Sequence, residues 1–144
     1  MKIVLGSDHG GFDLKEELRR RLTEEGHEVT DVGCHGERVD YPDIARDLCA
    51  VVNGGGVDFG ILCCGTGIGI GIAANKIHGI RAALCTDCYS ARMAKEHNNA
   101  NVITFGGRTA GVEHVWEMVK AYMAAEHLGG THAVRVEKIH ALER

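Results

Sequence analysis

The sequence predicts an α/β fold: a three-layer α/β/α sandwich, Rossmann-like, built on a five-stranded parallel sheet. Two patterns and the length carry that prediction. Short apolar runs alternate along the chain with amphipathic helical stretches. The runs read as apolar throughout rather than alternating, as strands do when helices cover both faces. At 144 residues, with no repeat, linker or low-complexity tract, the chain suits one domain over residues 1–144. A chain of that size buries ~70% of its unfolded surface.

Residues 2–6 form the first apolar run and read as a strand. Residues 12–25 follow as a helix with Leu14, Leu18 and Leu22 on one face. A second strand covers residues 28–32. Asp40 then offers an N-cap and Pro42 an early proline for a helix to about residue 52. The third strand, residues 59–63, runs into a glycine-rich loop and a short helix ending near residue 76. Strands over 82–85 and 102–105 flank a helix over about 89–96. A long helix spans 111–126, and after Gly129-Gly130 a last one spans about 133–142.

Composition excludes several functions. The net charge of −4 and the lack of a basic stripe argue against a nucleic-acid surface. The run Arg19-Arg20-Arg21 lies among Glu16, Glu17, Glu24 and Glu25 and reads as a solvated helix face. No signal peptide, lipidation motif or apolar run of ~18 residues is seen, so a cytoplasmic protein with no membrane partner is expected. Cys34, Cys49, Cys63 and Cys85 read as small buried hydrophobes with free thiols. Cys85-Thr86-Asp87-Cys88 has a zinc-like spacing, but no second pair or histidine completes it, so no metal is expected.

In open parallel sheets ligands bind at the carboxyl ends of the strands, where strand order reverses. Ser7-Asp8-His9-Gly10-Gly11 follows the first strand and Cys64-Gly65-Thr66-Gly67 the third, two glycine-rich turns at one edge. Gly65, Gly67, Gly69 and Gly71 recur at every second position, a backbone able to turn several N–H groups toward one point. Such a nest beside the Cys64 thiol suits holding an oxyanion while a proton moves. Neither G-x-G-x-x-G nor Gly-Lys-Ser/Thr can be drawn through the run, so the nucleotide loops do not fit. Plainer readings stand beside this one: Cys64 as a core thiol at a strand end, the glycines as a tight turn, Asp8 as a helix N-cap.

Several segments together resemble a known family. These are Gly-Ser-Asp-His-Gly-Gly at 6–11, Asp-Tyr-Pro-Asp at 40–43, Cys-Gly-Thr-Gly at 64–67 and Ala-Ala-Asn-Lys at 73–76. Gly-Ile-Arg-Ala at 79–82 and Glu-His-Asn-Asn-Ala-Asn at 96–101 continue the series. In order and over essentially the whole chain, they resemble ribose-5-phosphate isomerase type B, whose relatives act on galactose 6-phosphate and allose 6-phosphate. The resemblance implies a metal-independent aldose–ketose isomerase with a sugar phosphate substrate and no cofactor. It also implies strand order 2-1-3-5-4 and a homodimer, in some members a tetramer.

The resemblance further implies a role for each site residue. Cys64 is the base that carries a proton between C2 and C1. Some relatives use a Glu farther along the loop, but here Ile68, Ile70 and Ile72 leave Cys64 as the base candidate. Thr66 and the N–H groups of Gly65, Gly67, Ile68 and Gly69 hold the enediolate. Asp8, His9, Tyr41 and Asn98 contact the substrate. His97 is the acid that opens the furanose ring, although a histidine ending a helix also serves as a macrodipole partner. His9, Arg108 and Arg135 bind phosphate. Thr131 departs from the pattern, since relatives commonly carry Arg there; Thr offers only a neutral donor, and His132 beside it compensates when protonated. The site is shared in the family, which sets Cys64 of one chain opposite His97 of the other. Two alternatives remain: an isomerase of another sugar phosphate, and a phosphosugar-binding module that needs neither thiol base nor ring-opening acid.

Overall fold

Five strands and six α-helices alternate along residues 1–143, which the computed structural model describes. Strands β1 (Lys2–Ser7), β2 (Glu28–Asp31), β3 (Phe59–Cys64), β4 (Ala82–Leu84) and β5 (Val102–Gly106) all pair in parallel. Their order is β2-β1-β3-β5-β4, the one the family resemblance implies. The inner strands β1, β3 and β5 are buried apart from Lys2. The edge strands are not: β2 reads Glu28-Val29-Thr30-Asp31 and alternates, and Leu84 of β4 is exposed. The expectation of apolar strands therefore fails at the edges, where the layers no longer cover both faces.

The helices are α1 (Phe12–Glu24), α2 (Tyr41–Asn53), α3 (Ile68–Asn75), α4 (Cys88–Glu96), α5 (Val112–Met123) and α6 (Gly130–His140). Side chains alternate along a strand, so β1 sends Ile3 and Leu5 to one face and Val4 to the other. Leu14, Leu18 and Leu22 of α1 join Ala94 of α4 and Val115 and Val119 of α5 on the first face. Ile44 and Leu48 of α2 and Ile70 and Ala74 of α3 cover the second. These two apolar clusters make the three layers. On the outer surface of α1, Arg19, Arg20 and Arg21 pair with Glu16, Glu17, Glu24 and Glu113, the solvated face expected of them.

Element ends differ from expectation where glycine and local capping decide them. A single 3₁₀ turn at His9–Gly11 precedes α1, capped by Asp8. Asp40 occupies the N-cap of α2, but its side chain makes no capping hydrogen bond. Helix α5 stops at Met123, and α6 begins at Gly130, earlier than its apolar pattern suggests. Gly129 and Gly130 take φ values of 69° and 55°, so the pair turns the chain into α6 instead of spacing it from α5. Helix α6 belongs to neither apolar cluster; Val136 is buried, while Val134 and Ile139 are exposed.

The 3₁₀ turn presses on β3 so closely that a methyl group at Gly11 would meet the backbone of Cys63. Gly11→Ala is expected to lower unfolding stability by ~1–3 kcal/mol, because backbone cannot yield as a flexible side chain can. Gly56→Ala, which meets nothing within 4 Å, should be close to neutral. Urea midpoints of the two variants check this contrast.

Candidate active site

Three loops meet at the carboxyl ends of β1, β3 and β5. The Asp8 N–H donates to the Cys63 carbonyl at 3.2 Å, joining the first loop to the second. The N–H groups of Gly107 and Arg108 donate to the carbonyls of Cys64 and Gly65 at 2.8 and 2.9 Å, joining the third to the second. Between them the chain turns at Gly67, with φ of 78°. A side chain there would be strained, and its Cβ would also sit 2.8 Å from the Phe105 carbonyl carbon and from a Leu84 methyl. The buried Thr104 hydroxyl donates to the Gly67 carbonyl at 2.9 Å and fixes the turn.

Cys64 ends β3, buried, with the Gly67 N–H donating to its Sγ at 3.1 Å. Cys63 points to the opposite face among the α1 and α5 side chains, where burial pushes its thiol far above the ordinary range. Strand alternation thus sorts two adjacent thiols into one that reaches the loop and one sealed in the core. Thr66 is exposed, and its hydroxyl accepts the Ile68 N–H at 3.2 Å. Ile68 and Gly69 open α3, whose first-turn N–H groups lack intrahelical partners and present the positive end of the helix dipole. The Tyr41 ring lies against Gly69, where a methyl would come 2.7 Å from a ring carbon. The Arg108 guanidinium lies over Gly65, with Nη1 2.9 Å from where a Cβ would be. Asp8 Oδ1 accepts the N–H groups of Gly10 and Gly11 at 2.9 and 3.1 Å, so capping is part of its work. His9, exposed, starts that turn.

The remaining candidates sit elsewhere. His97 caps the C-terminus of α4, and Asn98 follows it, before the amino end of β5. The His97 ring stacks on that of His132, in the first turn of α6, and Arg135 lies one turn further along. Burial first, then His97, Arg135 and His127, hold His132 below the ordinary histidine range. β5 separates the two groups: its end residues are about 13 Å apart at ~3.3 Å per residue. One chain therefore does not bring Cys64 and His97 together. It carries one cluster at the carboxyl edge of the sheet and another at the amino edge.

Sequence reasoning missed Thr104 as the clamp on the loop; the signal was a lone polar residue inside the apolar run Val102-Ile103-Thr104-Phe105. It saw His132 only as a spare cation, not as a stacking partner. Among the described residues, no group of three or more His, Cys, Asp or Glu side chains converges as metal ligands would. Cys85, in the zinc-like spacing, is buried with its thiol pushed up to about 12.

Comparison with known proteins identifies the family. Residues 3–139 match the Ribose/Galactose Isomerase family. Ribose-5-phosphate isomerase B of Escherichia coli is 49% identical over 144 residues, covering 99% of this chain and 97% of that protein. D-erythrulose-4-phosphate isomerase of Pectobacterium atrosepticum is 45% identical over 141 residues, covering 96% and 93%. The solved structure of Clostridium thermocellum ribose-5-phosphate isomerase B superimposes with a TM-score of 0.97 at 50% identity, covering 99% and 97%. The chain belongs to the ribose/galactose isomerase family.

The Thr104 clamp makes a specific demand. Thr104→Val leaves the Gly67 carbonyl buried without its donor, which is expected to cost ~1–3 kcal/mol in urea unfolding. Thr104→Ser keeps the hydroxyl and should recover most of that loss.

Proposed function

We propose that this chain interconverts ribose 5-phosphate and ribulose 5-phosphate through an enediolate, with Cys64 as base and His97 as ring-opening acid. The observation that carries this reading is the Cys64 thiol, held by the Gly67 N–H at the mouth of α3 with the Arg108 guanidinium beside the same loop. In the open-chain aldose, Cys64 takes the C2 proton and the electron pair moves through C1 to O1. Thr66 and the N–H groups of Gly65, Gly67, Ile68 and Gly69 receive the developing oxyanion, where fixed donors act without reorganising. The O2 proton passes to O1, the O2 electron pair forms the C2 carbonyl as the double bond takes up a proton at C1, and Cys64 supplies that proton. Asp8, His9, Tyr41 and Asn98 contact the sugar, and His9, Arg108 and Arg135 neutralise the phosphate. No cofactor takes part, since the electrons removed at C2 stay within the sugar.

The two clusters complete each other across a two-fold axis. In this reading a homodimer places His97, Asn98 and Arg135 of one chain against Cys64 and Arg108 of its partner. The exposed Val134, Ile139 and Leu142 supply apolar surface for such an association. Each chain works as one domain in the cytoplasm; no described helix is long and apolar enough to cross a membrane. Thr131 favours a second reading of the substrate, because one cation common in relatives is replaced by a neutral hydroxyl. A panel of ribose, allose, galactose and erythrulose phosphates, followed by NMR, ranks the sugars. Binding of any of them without turnover would instead mark a phosphosugar-binding module.

Cys64→Ala is expected to lower kcat by roughly 10²–10⁴-fold with the fold intact, and to stop deuterium entering the product at C1. Cys63→Ala should alter stability and leave turnover nearly unchanged. Equal activity in the two variants would reject Cys64 as the base.

Sharing of the site is tested by refolding Cys64→Ala and His97→Asn chains together. Random pairing makes half the dimers mixed, each with one intact site, so activity should return to ~25% of wild type. A site contained in one chain would stay inactive in every combination.

A further inference from the structure

We propose that His132 is the positioning residue for His97, its imidazole fixing the plane in which His97 presents a proton to the sugar ring oxygen. The inference rests on the reading of His97 as the ring-opening acid. The two rings lie face to face, with centroids 4.0 Å apart and planes 8° from parallel. His97 sits at a helix end with its N–H bonded to the Met93 carbonyl at 2.8 Å. Among the described residues, no hydrogen bond orients its imidazole, so orientation falls to the stack.

The chain is built to deliver that stack. The connection between α5 and α6 returns to the end of α4, where the Leu128 N–H donates to the Glu96 carbonyl at 3.0 Å. The His127 Nδ1 lies 3.0 Å from the same carbonyl, one residue before His97. Gly129 and Gly130 then turn the chain through positive φ, and the His132 N–H closes onto the Gly129 carbonyl at 3.0 Å. Two tethers at Glu96 and one glycine turn thus bring the first turn of α6 against His97 at the cap of α4.

Charge assigns the two rings different roles. His97 from α4, His127 from the connection and Arg135 from α6 all oppose a proton on His132, and no carboxylate is among the groups acting on it. Lys95 of α4 turns instead toward the Asn99 side chain and the Tyr122 ring. Two stacked imidazoliums repel, whereas an imidazolium over a neutral ring is attracted to its face. Of the two rings, His132 is the one whose surroundings oppose a proton, which suits it to the supporting role in the stack.

The test compares wild type, His132→Ala and His132→Phe in two reactions. Turnover of ribose 5-phosphate includes ring opening; solvent deuterium exchange into ribulose 5-phosphate reads enolisation without it. His132→Ala should lower kcat/KM for ribose 5-phosphate by roughly 10- to 10²-fold, as for other misplaced catalytic groups, and leave exchange nearly unchanged. His132→Phe, which keeps a ring for stacking, should recover most of the loss. By NMR, the His132 imidazole should titrate at higher pH in His97→Asn than in wild type. An Ala variant that isomerises ribose 5-phosphate like wild type, equal losses in both reactions, or an unmoved His132 titration overturns the inference while an active wild type upholds the isomerase reading. A wild type inactive on every sugar phosphate overturns the isomerase reading itself.

Discussion

The left-handed turn at Gly67 sets where everything at the carboxyl edge points. It follows the last residue of β3, and the Thr104 hydroxyl from β5 clamps its carbonyl from the core side. The clamped peptide carries the Ile68 N–H, which donates to the Thr66 hydroxyl. The peptide on the other side of Gly67 turns its N–H onto the Cys64 sulfur, and α3 starts at the next residue. The thiol, the Thr66 hydroxyl and the free N–H groups of the helix therefore share one origin. The loops after β1 and β5 are hydrogen-bonded to the same short stretch, so Asp8 and Arg108 inherit their places from it. A displacement of the turn would move all of them together.

The sheet and this edge were legible in the sequence because both rest on local rules. Alternation along a strand separates Cys63 from Cys64 without any knowledge of the fold, and the structure buries them on opposite faces of the sheet, with the Cys64 sulfur alone held by the loop. The glycine spacing at 65–71 shows its need in the contacts that a Cβ would make at Gly65, Gly67 and Gly69. The edge strands were less legible, because apolar patterning reports coverage by helices, and β2 and β4 lie where coverage ends. Asp8 shows a limit of another kind: the sequence offers capping and substrate contact as alternatives, and the structure shows its side chain capping the 3₁₀ turn.

The stack of His97 on His132 was not legible, and the reason is physical. The rings are 35 residues apart in sequence, and nothing in either local pattern brings them together. Their meeting depends on two hydrogen bonds to the Glu96 carbonyl and on the left-handed pair Gly129-Gly130, each a detail of a connection rather than of an element. Helix propensity places the start of α6 at its apolar residues, whereas the glycine turn starts it earlier and so puts His132 in the first turn.

The placement of charge follows from the same division of the chain. A phosphorylated sugar brings about two negative charges, as other phosphates do, to a protein that is itself acidic at −4. Cations must therefore be local, and they are divided: Arg108 belongs to the cluster after β3, and Arg135 to the cluster at α6. Neither cluster alone offers the paired, charge-assisted contacts that a dianion needs to offset its desolvation. In the proposed reading, with Thr131 neutral, the α6 cluster leans on Arg135, since burial, His97, Arg135 and His127 oppose a proton on His132. On that same reading, the stacked histidine pair places the proton and the larger share of anion binding falls to Arg108 and the N-terminus of α3.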